Sequence, residues 1–222
     1  MTTYKQEKLN HIHDYNVDVE NREIFLHSYI DSNEEDAGVD YRSSIGLIKN
    51  IRYLNTISDE PIIIHMNIPG GIWEDCLAMY DTIKLSKSKI GIIAYSKVQS
   101  ASSILLQAPR VRVLMPNVTM LIHYGSLSFE NEHKAAISNM QWSTQESAKM
   151  IDIFTEKCLH SPLAQTKNWR KINVKKHILS QLDSKSDWIL NAEQAIEYGF
   201  ADGIFGTQGF MNIDQIKRKL KK

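Results

Sequence analysis

The stretch that decides the fold reads PIIIHMNIPGG at residues 61–71, SASSILL at 100–106 and MLIH at 120–123. Along it, apolar runs bounded by turn residues alternate with segments whose apolar residues recur at helical spacing. That alternation predicts an α/β fold built from βαβ units with right-handed crossovers. Because sites form at strand ends in open α/β sheets, we expect the Gly-Gly turn, Ser100 and His123 to contribute to one site.

The same alternation can be followed along most of the chain. Two later helices are expected to be capped by Asn173 and Asn191. In the second of them, Gln194 completes a capping box and Gly199 ends the helix. The pattern predicts strands at 23–27, 61–67, 89–95, 111–114 and 119–123, and helices at 41–55, 72–85 and 100–108.

Residues 130–158 differ from the rest, because apolar residues recur there every three or four positions without a glycine or proline. One helix of this length would run about 40 Å, whereas the radius of gyration of such a domain is about 17 Å. We therefore expect a handle helix that projects from the domain and contacts another subunit. The alternative is a helix that lies across the domain surface. Its stripe comprises Ile137, Met140, Thr144, Ala148, Ile151, Phe154 and Cys158.

Three segments are expected from the distribution of polar residues. Residues 1–21 are polar and lack a period, which predicts a flexible N-terminal arm; 22–206 form one domain, and 207–222 a basic C-terminal tail. In the arm, His11 and His13 could ligate a metal, although such a pair in a polar arm is more often solvated. The basic tail lacks the aromatic support that a nucleic-acid patch would need.

Composition limits the classes of partner. The formal net charge of the 222 residues is zero, so neither nucleic acid nor an anionic membrane surface is an expected partner. No apolar run is long enough to span a bilayer, and the N-terminus lacks an apolar signal core. Cys76 and Cys158 lie on apolar faces of predicted helices, which predicts buried free thiols and a reducing compartment. We expect a cytoplasmic protein.

The candidate chemistry is acyl transfer at Ser100. A serine hydroxyl becomes nucleophilic when a base removes its proton and nearby donors stabilise the resulting oxyanion. Ser100 stands where a strand ends and a helix begins, although a serine there is more often only a cap, and Ser102 and Ser103 are close by. His123 closes an apolar strand and could act as the base. Gly70-Gly71 allows a ligand to approach the backbone closely.

Several motifs occur together in one order. NIPGG at 67–71 is similar to Asn-Ser-Pro-Gly-Gly, and YDTI at 80–83 follows it on the next helix. LLQA at 105–108 comes after Ser100, MPN at 115–117 precedes MLIH, and DWILNA begins at residue 187. In this combination the chain resembles the Clp protease proteolytic subunit (ClpP) family of the ClpP/crotonase fold. The resemblance covers roughly residues 22–205, so the 22–206 domain is expected to be a ClpP-like peptidase domain.

The resemblance implies roles for individual residues. Ser100 would be the nucleophile, His123 the general base and then acid, and Asp187 the carboxylate that orients the imidazole. The backbone N–H groups of Gly71 and Ala101 would form the oxyanion hole. Two other carboxylates, Asp183 and Asp202, compete for the third role. Asp187 is preferred for its spacing from the following helix, and Asp202 is expected to be structural.

Two segments depart from the family pattern. The family approaches its serine through Gly-x-Ala-Ala-Ser, whereas SKVQS stands at 96–100 here. After His123 the family has Gln-Pro and a glycine-rich strand, whereas YGSLSF occupies 124–129. The chain therefore resembles a divergent member, of the phage type or of the kind found alongside a standard copy. Lys97 also raises the alternative of a Ser–Lys dyad, as in signal-peptide peptidases of the same fold family.

By resemblance, the function is that of a serine endopeptidase. Subunits would form stacked rings that enclose the sites, with unfolded polypeptides or peptides as substrates and a Clp-type ATPase as a possible partner. Peptide hydrolysis by such a triad needs no metal or cofactor. One alternative is a catalytically silent ring subunit or scaffold, suggested by the altered run before Ser100. Another is a crotonase-type acyl-CoA enzyme, which shares the fold and an oxyanion hole but not this order of residues.

Overall fold

The computed structural model describes residues 2–33, 35–125 and 133–222. The predicted α/β class is confirmed. The helices are α1 Thr2–Tyr15, α2 Tyr41–Ile57, α3 Trp73–Lys84, α4 Ala101–Leu105, α5 His133–Leu159, α6 Pro162–Thr166, α7 Lys171–Ser184, α8 Ala192–Glu197 and α9 Ile213–Lys221. The strands are β1 Val17–Asp18, β2 Glu23–His27, β3 Ile62–Asn67, β4 Ile90–Ala94, β5 Lys97–Gln99, β6 Val111–Leu114, β7 Thr119–Ile122, β8 Trp188–Leu190 and β9 Gly203–Ile204.

The larger sheet has six strands in the order β1-β2-β3-β4-β6-β9. All neighbours are parallel except β1 and β2, and Ile64 pairs with Ile24 on one side and Ile92 on the other. β4 is buried at every position, and β3 at all but its last, as expected for strands covered on both faces. The continuous apolar runs that predicted these strands therefore reflect burial on two faces.

A second sheet of three strands, in the order β5-β7-β8, carries the candidate site. β5 is parallel to β7, with Gln99 opposite Leu121, so the carboxyl ends of both strands lie at one edge. β8 is antiparallel to β7, with Trp188 opposite Ile122, so its amino end lies at that same edge. Ser100, His123 and Asp187 are the residues immediately beyond these three strand ends. The topology thus brings together residues that are far apart in the sequence.

The handle helix α5 has 27 residues and a rise of about 40 Å. Its second half is anchored, because Ile151, Phe154 and Cys158 are buried in the core and the helix packs against α7. In its first half, Ile137 and Met140 are about half exposed. Thr144 and Ala148 of the predicted stripe are exposed. Residues 130–132 of the predicted helix lie outside the described residues.

The N-terminal segment contains more regular structure than the sequence predicted. Where a flexible arm was expected over 1–21, the structure has α1 followed by β1, and Val17 is buried. The helix has no apolar face that a periodicity search could detect. It is held instead by polar contacts, including that of Lys8 with Asp18, and by pairing of β1 with β2. No group of three or more potential metal ligands occurs among the described residues, which include His11 and His13.

The C-terminal segment also differs from the expected basic tail. Residues 213–221 form α9, whose Ile216 and Leu220 are fully buried against the larger sheet. The expectation of a basic tail was based on the lysines, which lie mostly on the outer side of this helix. Asn173 is not the cap that was predicted, since α7 begins two residues earlier and Asn173 accepts a hydrogen bond from the Arg170 N–H. The capping box of Asn191 and Gln194 is confirmed.

Both cysteines are free and buried, as predicted. Burial raises the pKa of the Cys76 thiol to about 12. A thiol with such a pKa is protonated at neutral pH and behaves as a small apolar side chain. Within the described ranges, no helix combines the length and apolar character needed to cross a membrane.

One lysine on α5 makes stability depend on pH. Burial, together with Arg112 and Lys84, lowers the pKa of Lys157 to about 8. The folded protein therefore binds this proton less tightly than the unfolded chain, so the contribution of Lys157 to stability should increase from about pH 8 to pH 10.5.

We predict that Lys157→Met has a higher free energy of unfolding than the wild type at pH 7. The difference between the two proteins should be smaller at pH 10. Urea unfolding of both proteins at the two pH values measures this difference. Lys167→Met, at an exposed position, is the matched control and should show no such change with pH. An equal gain for Lys157→Met at both pH values would contradict the prediction.

Candidate active site

Ser100 occupies a backbone conformation that is unusual for a residue with a side chain. Its φ is 53° and its ψ is −126°, between the end of β5 and the start of α4. Its N–H donates to the Leu121 carbonyl, which fixes the turn to β7. A non-glycine residue held at positive φ costs about 1–3 kcal/mol, and such strain concentrates at functional sites. The Ser100 side chain makes no capping hydrogen bond to the helix that follows.

The two neighbouring serines have other partners. Ser102 Oγ lies 2.7 Å from the carbonyl oxygens of both Ile68 and Pro69, to either of which it can donate. Ser103 Oγ donates to the Ser100 carbonyl at 2.6 Å. Both side chains are buried, so neither hydroxyl is available to a substrate. Ser102 joins α4 to the turn that leads into Gly70-Gly71.

The Gly-Gly turn lies so close to its neighbours that neither residue could carry a side chain. A Cβ on Gly70 would stand 2.4 Å from the Ser100 Cβ, and one on Gly71 would stand 2.4 Å from the Val39 carbonyl oxygen. Val39 holds this turn by donating to the Gly70 carbonyl and accepting from the Ile72 N–H. The glycines therefore allow the turn to contact Ser100 on one side and the segment before α2 on the other.

Two residues whose backbone N–H groups are unpaired among the described residues border the space beside Ser100. Gly71 and Ala101 both line the cavity that contains Ser100 and His123. Their N–H groups donate to no acceptor within residues 2–33, 35–125 and 133–222. Unsatisfied N–H groups beside a candidate nucleophile are the donors that an oxyanion requires.

His123 contacts both of its proposed partners. Its Nε2 lies 2.8 Å from Ser100 Oγ, within hydrogen-bonding distance. Its Nδ1 lies 3.3 Å from Asp187 Oδ1, a longer contact at a carboxylate that is 52% exposed. Because a carboxylate only accepts, this arrangement favours the tautomer with the proton on Nδ1. Nε2 is then free to accept the proton of Ser100.

The competing residues are engaged elsewhere. Asp202 forms an ion pair with Arg112, with 2.5 Å between Oδ1 and Nη2, and accepts from the Arg112 backbone as well. Asp183 accepts a hydrogen bond from the Tyr124 hydroxyl, and burial together with this carboxylate raises the pKa of Tyr124. Lys97 has an exposed side chain on β5, while Ser100 Oγ contacts His123. The geometry therefore favours Asp187 over the other carboxylates.

A cavity of about 550 Å³ extends from Ser100 towards α5. Trp73, at the start of α3, donates its indole N–H to Glu146 Oε2 of α5 at 2.6 Å. Lys149 contacts the other oxygen of Glu146 at 2.7 Å. Burial raises the pKa of Glu146, but the hydrogen bonds from Lys149 and Trp73 outweigh this effect and hold the pKa below its usual value. Glu146 is therefore an ionised carboxylate beside the candidate nucleophile.

Sequence reasoning missed three of these contacts. They are the bonds of Ser102 to the turn, the clamp by Val39, and the bond between Trp73 and Glu146. Each joins residues that are distant in the chain, so no local spacing could indicate it. Glu146 is buried on the same helix as Met150 and Phe154, but a glutamate in a sequence is normally expected to be exposed.

Comparisons with known proteins agree with this architecture. The family model described as Clp protease matches residues 6–208. The chain is 28% identical over 194 residues to "ATP-dependent Clp protease proteolytic subunit 3" of Nocardia farcinica, which covers 86% of this chain and 78% of that protein. It is 28% identical over 177 residues to "ATP-dependent Clp protease proteolytic subunit 2" of Pseudomonas aeruginosa, and that match covers 77% of this chain and 79% of the relative.

A solved structure gives the same result for the fold. It is that of a ClpP1 point mutant from Listeria monocytogenes, and it superposes with a TM-score of 0.64 at 18% identity. The match covers 89% of this chain and 96% of that one. At that identity the likeness concerns the fold alone, whereas the family model spans most of the sequence. The chain belongs to the Clp protease family, as a divergent member.

Proposed function

We propose that this protein is a serine peptidase that hydrolyses peptide bonds with Ser100, His123 and Asp187. The observation that carries the proposal is the 2.8 Å contact between Ser100 Oγ and His123 Nε2 at a strained strand end. Asp187, on the other ring nitrogen, supplies the third member of the array. Family membership favours peptide hydrolysis over the acyl-CoA chemistry that other proteins of this fold perform.

In the first half of the reaction, Ser100 Oγ forms a bond to the scissile carbonyl carbon while its proton passes to His123 Nε2. Asp187 stabilises the resulting imidazolium and keeps Nδ1 protonated. The carbonyl oxygen takes the negative charge and accepts from the N–H groups of Gly71 and Ala101. The C–N bond then breaks, His123 gives its proton to the leaving amine, and an acyl-enzyme on Ser100 remains.

In the second half, His123 removes a proton from water, whose oxygen attacks the acyl carbon. The same two backbone donors stabilise the oxyanion. Collapse breaks the bond to Ser100 Oγ, which recovers its proton from His123, and the carboxylic acid product leaves. The three residues thereby return to their initial state, and the steps as written use no metal or redox partner.

We also propose that the protein works inside a ring-shaped homo-oligomer, in the cytoplasm, on chains unfolded by a Clp-type ATPase. The relatives from Nocardia farcinica and Pseudomonas aeruginosa, which are named as proteolytic subunits of an ATP-dependent Clp protease, support this partnership. The first half of α5 supports the assembly, because Ile137, Met140 and Trp142 are each about half exposed along one helix. Ile137 and Met140 are three residues apart and so lie on one face of the helix, and an exposed apolar patch marks an interaction surface.

The triad is tested by labelling with a fluorophosphonate followed by mass spectrometry. We expect the label on Ser100, no label in Ser100→Ala and a strongly reduced rate in His123→Ala. Peptide hydrolysis by Asp187→Asn should fall roughly 10³- to 10⁴-fold in kcat, because the histidine then loses its orienting carboxylate. Ser138→Ala, on the exposed half of α5, is the control and should label as wild type does.

Labelling of a different serine would contradict the assignment. A well-folded oligomer that takes no label and cleaves no peptide would instead favour the catalytically silent subunit.

A methyl group on the Gly-Gly turn should disable the site without unfolding the protein. The added Cβ of Gly70→Ala would stand 2.4 Å from the Ser100 Cβ, so the nucleophile must shift. A displacement of about 1 Å costs roughly 100-fold in rate, which the fluorophosphonate labelling rate measures. Gly46→Ala, where a Cβ meets nothing within 4 Å, is the control. Equal labelling rates for both variants would refute the role of the turn.

The exposed half of α5 should determine the oligomeric state. Each large apolar side chain buried between subunits contributes about 1.5–3 kcal/mol, so Ile137→Asp with Met140→Asp should dissociate the assembly. Multi-angle light scattering at micromolar concentration measures the mass. Ser138→Asp adds a charge on the same helix and should leave the mass closer to that of the wild type. A monomeric wild type would contradict the proposed assembly.

A further inference from the structure

The cavity beside Ser100 has acidic and aromatic walls that the proposed chemistry does not use. Glu74, in the first turn of α3, and Glu146, on α5, both line it. The side chains of Trp73 and Trp142 line it as well. Among its described lining residues there is no lysine or arginine. Two carboxylates and two tryptophans therefore border the space that contains the proposed nucleophile.

Glu146 retains capacity for another donor. Its side chain is buried, with 7% of the residue exposed, and it accepts one bond from Trp73 and one from Lys149. An ionised carboxylate offers about four lone-pair positions, so two remain for a ligand. Lys149 has a side chain that is 55% exposed and does not line the cavity. Lys149 therefore contacts Glu146 without occupying the cavity.

The chain already shows that a cation fits against these groups. Lys149 Nζ lies 5.3 Å from the centroid of the Trp142 ring while it contacts Glu146 Oε1. The same ammonium group is thus bound by a carboxylate and by an aromatic face at once. Both interactions favour a cation over a neutral group of similar size.

Glu74 adds charge at the more open part of the cavity. It is exposed, and none of the ion pairs or side-chain hydrogen bonds between described residues involves it. The inner part is apolar, with Ile104 and Met150 buried against it. A long side chain with a methylene stem and a charged end matches this combination, because the stem packs against apolar surface while the end meets a carboxylate.

We propose that this cavity binds the side chain of the substrate residue that supplies the scissile carbonyl, and that it selects arginine or lysine. The proposal rests on the proposed function, since it takes Ser100 as the nucleophile. That side chain starts about 2.5 Å from the carbonyl carbon that Ser100 attacks, so it must enter the space adjoining Ser100. Glu146 and Glu74 are then specificity-determining residues, with Trp142 stacking on the charged group.

The test uses three peptides that differ only in the residue before the scissile bond, which is arginine, norleucine or glutamate. Binding to Ser100→Ala is measured by titration calorimetry, and hydrolysis by the wild type is measured as kcat/KM. We expect arginine to be preferred over norleucine, and glutamate to be the poorest, in both measurements.

The variants assign this preference to individual residues. Glu146→Gln should lower the ratio of arginine to norleucine binding roughly 10- to 100-fold, as expected for a hydrogen bond to a charged group. Glu74→Gln should lower it roughly 2- to 5-fold, as for an exposed pair. Lys149→Ala should raise the ratio, because it removes the competing cation. Asp75→Asn, which carries the same charge change outside the cavity, should leave it unchanged.

Equal binding of the arginine and norleucine peptides, or a ratio that neither glutamine variant lowers, would overturn the proposal. If Glu146→Gln does not fold, as judged by circular dichroism, the ratio of arginine to norleucine binding in Glu74→Gln and Lys149→Ala still tests the proposal. Arginine-selective binding to Ser100→Ala without hydrolysis by the wild type would refute the peptidase function and leave the cavity assignment standing. Hydrolysis without a preference for arginine would support the peptidase function and refute the cavity assignment.

Discussion

The pairing of β5 and β8 on either side of β7 is the constraint on which the site depends. One parallel and one antiparallel neighbour place two carboxyl ends and one amino end at a single edge of a three-stranded sheet. Backbone hydrogen bonds set the register, so the spacing of Ser100, His123 and Asp187 follows from main-chain geometry. Because the backbone already positions these side chains, aligning them costs little conformational entropy.

Much of the architecture could be predicted from sequence because the signals were local. The runs at β3 and β4 are mostly apolar, and Gly70-Gly71 follows the first of them after Ile68 and Pro69. The order of Ser100, His123 and Asp187 also followed from motifs in one chain. A strand end was expected at Ser100, but β5 was given no bounds of its own, since Lys-Val-Gln is short and mostly polar. The N-terminal helix was missed because contacts such as that between Lys8 and Asp18 leave no apolar period.

The contacts that complete the site could not be predicted for a different reason. Val39 against the Gly-Gly turn and Trp73 with Glu146 each depend on where the folded chain brings distant segments. Nothing in the spacing of a buried glutamate on a long helix distinguishes it from an exposed one. The same holds for α9, in which the lysines dominate the composition while Ile216 and Leu220 determine its position.

The bond from Ser102 to the Ile68–Pro69 backbone joins two segments of the site that are distant in the sequence. It ties the turn at Ser100 to the segment that leads into Gly71. One wall of the cavity comes from α5, a helix anchored along its second half, and other walls come from α3 and α4. The proposed nucleophile and the α5 wall of the proposed side-chain pocket therefore belong to different elements. Under the proposed function, substitutions along α5 would change which sequences are cut while Ser100, His123 and Asp187 keep their positions.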